Sequence, residues 1–133
     1  MDAKYSNALT AGPALRKMLA ASPLIAEKVG DRIFPVISSE DEQPPFIAYR
    51  RVMVDETTVA DGPSPRMAVY EFQVYAKAWE EGLQIAAATV AALADSRPEA
   101  PIRRCILQNA TETYTDVNQC YVQILDFKVK TIN

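Results

Sequence analysis

The 133-residue chain contains no histidine, and that single absence removes the usual general base, the commonest metal ligand and the side chain that changes charge near neutral pH. Glycine is scarce too. Its four positions, 12, 30, 62 and 82, match no Walker loop, dinucleotide-binding turn, nucleophile elbow or EF-hand loop, each of which needs glycine at fixed offsets so that backbone can approach its ligand. The two cysteines, Cys105 and Cys120, make a poor zinc site without histidine. The longest uncharged run, Gly82 to Ala94, has thirteen residues, well short of the roughly 20 apolar residues of a membrane span. A basic face is missing as well. Fourteen Lys and Arg stand against 17 Asp and Glu for a net charge of -3, and residues 1–66 (eight basic, nine acidic) resemble residues 67–133 (six basic, eight acidic). A protein that holds nucleic-acid phosphates concentrates its cations on one surface instead. The opening Met1-Asp2-Ala3-Lys4-Tyr5 lacks the basic-then-apolar layout of a secretory signal, so the expected setting during synthesis is a reducing cytoplasm with both cysteines as thiols.

What is present is an ordinary globular balance, 49% hydrophobic and 23% charged, without internal repeat or low-complexity segment. A chain of this length buries about two thirds of its unfolded surface and needs no staple. We expect a single domain over residues 1–133. Leu15, Met18 and Leu19 at helical spacing after Pro13 predict a helix to Ala21, with residues 5–11 as an upstream extension. Ser22-Pro23 is the expected start of a second short helix that stops at Gly30. Arg32 to Ile37, β-branched and aromatic with a proline inside, fits an edge strand. After the acidic loop Ser38 to Gln43 and Pro44-Pro45, the run Phe46 to Val54 is apolar on both alternating faces, Phe46, Ala48, Val52 and Val54 against Ile47, Tyr49 and Met53. Asp55 to Arg66 is a turn-rich hairpin loop.

Met67 to Lys77 alternates cleanly, with Ala68, Tyr70, Phe72, Val74 and Ala76 on one face. Trp79 to Asp95 predicts a long helix whose stripe is Leu83, Ala86, Ala87, Val90, Leu93 and Ala94, with Glu80 and Glu81 placed favourably in the first turn. Ile102 to Glu112 and Gln119 to Thr131 form a closing hairpin; centred near Asp116, it sets Cys105 opposite Lys128, so no disulfide to Cys120 is expected. In the last strand the apolar set switches from Val122 and Ile124 to Leu125, Phe127 and Val129, which predicts a bulge or a second buried face. The order ααβββαββ lacks regular βα alternation. It predicts an α+β domain, helices packed on one face of a mainly antiparallel sheet.

The polar constellations point mostly to surfaces. Asp55 with Glu56, Asp61 and the run Glu40-Asp41-Glu42 are the available carboxylates for acid–base work, but all fall in predicted loops, where solvated charge is the ordinary reading. Arg50 and Arg51 are adjacent in a strand, so they point to opposite faces and do not clamp one phosphate together. A surface or subunit-interface role suits them, as it does Arg103-Arg104. Trp79 is expected to pack the helix start against the sheet. Asn109-Ala110-Thr111 matches a glycosylation acceptor without a secretory signal to accompany it.

Several stretches together carry a family likeness: Ala14-Leu15-Arg16-Lys17-Met18-Leu19, the passage Leu24 to Pro35 ending Val29-Gly30-Asp31-Arg32-Ile33-Phe34-Pro35, Pro45-Phe46-Ile47-Ala48-Tyr49 opening a strand, and Tyr70-Glu71-Phe72-Gln73-Val74-Tyr75-Ala76 leading into the alanine-rich helix with Ala86, Val90 and Leu93. In this order and spacing the chain resembles the small tail completion proteins of long-tailed bacteriophages, the tail terminators and tail-to-head joining proteins. That resemblance implies a structural virion protein made in the bacterial host cytoplasm. It would cap the head-proximal end of the tail tube, typically as a hexameric ring of itself, and contact the tail tube protein and head–tail connector proteins. It implies no catalytic residue and no cofactor. Arg50, Arg51, Asp55, Glu56, Asp61 and Arg66 are the expected residues of a subunit boundary. Two other readings remain at this level: a small ligand-binding or regulatory α+β module with a pocket between helices and sheet, and an enzyme acting through carboxylates alone.

Overall fold

A computed structural model describes residues 6–36, 42–54, 58–59, 62–63, 67–117 and 119–132. Three short helices open the chain: α1 (Ser6–Leu9), α2 (Gly12–Ala20) and α3 (Pro23–Lys28). The expected upstream extension of the first helix is therefore a separate turn of helix, and Pro13 supplies the reason. A continuous helix would need an N–H at residue 13 for the Leu9 carbonyl, and proline has none. Arg51 fills that place, its Nη1 donating to Leu9 O at 2.7 Å. Ser22 caps α3 by accepting from the Ile25 N–H at 3.4 Å. Gly30, at φ +64°, ends the same helix as it returns its N–H to Ile25 O.

Strands β1 (Ile33–Pro35), β2 (Phe46–Val54), β5 (Met67–Ala76), β6 (Ile102–Thr115) and β7 (Cys120–Thr131) form one sheet in the order β1-β2-β5-β7-β6, while β3 (Thr58–Val59) pairs with β4 (Gly62–Pro63) separately. All pairings are antiparallel except β1 with β2. Helix α4 (Trp79–Ala94) crosses between β5 and β6 and packs with the other helices on one face of the sheet. The α+β class and the element order agree with the sequence reading.

The core lies between helices and sheet. Leu15 and Leu19 from α2, Ile25 from α3 and Ile85 from α4 meet Ile47, Phe72, Val74, Phe127 and Val129, all essentially excluded from solvent. Phe72, in the central strand, stacks on Tyr49 at 5.7 Å and meets the edge of Phe127 at 5.6 Å. The alternation of β5 is as expected, Ala68, Tyr70, Phe72, Val74 and Ala76 buried on the helix side. The stripe of α4 is not. Its buried residues are Gly82, Ile85, Ala86, Thr89, Ala92 and Leu93, a face turned from the one expected. Thr89 is accepted there because its hydroxyl donates to Ile85 O at 2.8 Å, leaving nothing unsatisfied. At Gly82 a side chain would begin 3.5 Å from Cβ of Ala76, so the helix start lies close on β5.

Two further differences have local causes. The register between β2 and β5 shifts between Arg51 and Met53, so Val54 stands opposite Ala68 on the helix side rather than with Phe46 on the other. In the closing hairpin Cys105 faces Val129, one position from the expected Lys128, because the turn centres later and β6 shifts register between Leu107 and Asn109. By contrast β5 and β7 pair without a shift from Met67↔Lys130 to Ala76↔Tyr121. The switch of apolar residues in β7 is therefore a second buried face: Val122 lies opposite Tyr75, which stacks on the buried Phe46 at 4.5 Å.

Candidate assembly surfaces

Two surfaces stand out, at opposite edges of the five-stranded sheet. The first is a groove of about 470 Å³ beside β1 and β2, walled by Leu9, Pro13, Pro35 and Val36 with Tyr49, Tyr70 and Arg51. Its shape follows from the break between α1 and α2, and from Val36, which turns away from β1 at φ +70° while its N–H still donates to Tyr49 O. Arg16 and Arg32 brace this corner from below. Arg16 donates to Ile33 O and Asp31 O at 3.2 and 3.1 Å, and Arg32 to Pro45 O and Lys28 O at 3.0 Å each. Burial pushes the Tyr49 and Tyr70 hydroxyls above their ordinary value, and the nearby cations Arg16 and Arg51 pull back against it.

The adjacent arginines do point to opposite faces. Arg51 reaches the helix side and the groove; Arg50 lies on the other face in an ion pair with Glu71 at 3.4 Å. Glu71 also accepts from Gln73 at 2.8 Å, and Gln73 accepts from the Tyr75 hydroxyl at 2.8 Å, so a polar line runs along β5. Arg50, Arg51, Val52 and Met53 are all exposed. The other expected boundary residues, Asp55, Glu56, Asp61 and Arg66, and the carboxylates Glu40 and Asp41, lie outside the described residues.

The second surface is the β6 side and the turn of the β6–β7 hairpin, whose β7 residues Cys120, Val122 and Leu125 are buried. Every residue from Leu107 to Tyr114 is exposed. Tyr114 packs edge-on against Tyr121 at 5.2 Å with both rings open to solvent, and Val117 at the tip is 71% exposed. Near its turn Glu112 accepts from Gln123 at 2.9 Å and from the Trp79 indole at 3.1 Å. Those two donors hold the Glu112 carboxyl below the usual glutamate range. Trp79 thus ties the start of α4 to β6. Arg103 and Arg104 are exposed at the other end of the strand.

Among the described residues no three of His, Cys, Asp and Glu converge on a common point. Cys105 is a buried thiol pushed up to about 12 by that burial, and Cys120 is buried and raised for the same first reason. The space between helices and sheet, where a ligand-binding module would keep its pocket, is filled by Leu15, Leu19, Ile85, Phe72 and Phe127. No described helix is long and apolar enough to cross a membrane. The groove and hairpin side chains were beyond sequence reasoning: Leu9, Val36, Tyr114 and Val117 look like core residues until their exposure is known.

The same fold occurs in a chain of the virion of a native gene transfer agent particle, with a TM-score of 0.77 at 16% identity, covering 96% of this chain and 98% of that one. Among curated proteins no relative matches. The family model described as tail completion protein gp17 matches residues 13–131, and the chain belongs to that family. It is a structural component of phage tail assembly, located in the tail or neck of the virion, and not an enzyme.

Proposed function

We propose that this chain is a single-domain subunit, spanning residues 1–133, of a ring that caps the head-proximal end of the tail tube and joins it to the head connector. A hexamer is the expected ring. Family membership over residues 13–131 carries this reading, and the fold supports it physically: rings close through head-to-tail contacts between two different surfaces, and this sheet has one at each edge. Arg50, Arg51, Asp55, Glu56, Asp61 and Arg66 belong at or beside the subunit boundary. The partners are further copies of the chain, the tail tube protein and the connector proteins. Deleting the gene from its phage or prophage and imaging induced lysates by negative-stain electron microscopy tests the role. Over-long tails, or filled heads lying apart from tails, are expected; normal infectious particles overturn it.

A further inference from the structure

We propose that the tip of the β6–β7 hairpin of one copy seats in the β1–β2 groove of the next, an inference that rests on the ring reading above. The two surfaces match in polarity and in charge. The tip offers Tyr114, Val117 and Tyr121 as exposed apolar groups, and the groove offers Leu9, Pro13, Pro35 and Val36 to receive them. From Leu107 to Gln123 the only charged residues are Glu112 and Asp116, while among the described residues the charged ones lining the groove are Arg51 and Arg50, the latter already paired with Glu71. Among the described residues, no carboxylate lies within ion-pair distance of Arg51.

Charge decides between the possible pairings of copies. Groove against groove sets arginine against arginine, and hairpin against hairpin sets carboxylate against carboxylate, whereas hairpin into groove pairs opposite signs. Simple strand addition is a poorer contact. The free edge of β6 is broken by register shifts around Arg103 and Gln108, and the opposite edge, β1, is three residues long and ends in a proline. Side chains, not backbone ladders, therefore make the joint. Because hairpin and groove occupy opposite edges of one sheet, each copy has one surface of each kind, the requirement for a closed ring.

The test uses phage particles carrying Leu9→Cys together with Val117→Cys, treated with a short bis-maleimide. Both positions are exposed, and the native Cys105 and Cys120 are buried. The expected result is a ladder of covalent multimers of this chain, absent from each single variant. In a second arm, Arg51→Glu lowers the copies incorporated per particle by about tenfold, and adding Asp116→Arg to the same chain restores them. A folding defect at residue 51 would not be repaired from the far edge of the sheet. A cross-link to the tube protein instead, a dimer formed by either single variant, or particles that contain the chain and end their tails normally without any ladder overturns the contact and leaves the capping role standing. Absence of the chain from particles removes the role and the contact together.

Discussion

Replacing Phe72 by alanine probes the packing on which both surfaces are mounted. The ring is wholly buried in the central strand of five, stacked on Tyr49 at 5.7 Å and against the edge of Phe127 at 5.6 Å. Truncation forfeits the transfer of the ring from water and leaves a hole that flanking strands, paired on both sides, do not readily close. Together these cost about 3–5 kcal/mol, a large part of the roughly 5–15 kcal/mol that holds a domain together. In equilibrium urea unfolding followed by far-UV circular dichroism, with a slope of about 2 kcal/mol/M, the midpoint falls by roughly 2 M at unchanged slope. Tyr114→Ala, on the exposed face of the hairpin, shifts it by less than about 0.5 M by the same arithmetic, since its cross-strand pair with Tyr121 is worth about 0.2–1 kcal/mol. A double-mutant cycle of Phe72→Leu with Phe127→Leu isolates the edge-to-face contact, expected at about 0.5–1.5 kcal/mol. A Phe72→Ala shift no larger than that of Tyr114→Ala would refute the placement of the core.

The remaining predictions concern single contacts. Glu112 is held below the ordinary glutamate value of 4.5 by Gln123 and then Trp79. A depressed carboxylate stabilises the fold above its unfolded value and loses that contribution as pH falls through the folded one. Acidification below about pH 4.5 should therefore change the emission of Trp79, the only tryptophan, and the Glu112→Gln variant should lose that step; an identical titration in both would refute it. Cys105, pushed up to about 12 by burial, should resist a thiol reagent at pH 8 in the folded protein and react once unfolded. Since its folded value lies above the ordinary 9.0, its contribution is full below pH 9 and declines as the unfolded thiol ionises above it. Ser22→Ala removes the α3 cap, costing about 0.5–1 kcal/mol by thermal melting, at the lower end because the bond is long. Gly30→Val, at φ +64°, should cost about 1–2 kcal/mol by the same assay.

Local chemistry made much of the fold legible. The cap at Ser22 and the stop at Gly30 depend on residues within a few positions of one another, so spacing alone exposes them. The alternation of β5 was equally readable because that strand is buried on one face along its whole length. In α4 the contrast failed: most of its residues are apolar, so several stripes compete and the choice falls to the close approach at Gly82 and the self-satisfied Thr89. The flip of Val54 depended on a one-residue shift against β5, and a strand's own pattern does not record its partner's register.

The candidate surfaces divide the same way. The opposite orientation of Arg50 and Arg51 was legible, because side chains alternate along any strand; that Arg51 would take the Leu9 carbonyl left open by Pro13 was not, since 42 residues separate them. By itself the sequence determined what chemistry is missing, the α+β class and the likeness to tail completion proteins, because these depend on composition, local period and residue order. Tertiary structure alone decided that Leu9, Val36, Tyr114 and Val117 are surface rather than core. Leu9 is as apolar as Leu15, and Val36 and Val117 as apolar as the buried Val29 and Val129; only the folding of distant segments against or away from them leaves some buried and others open to solvent.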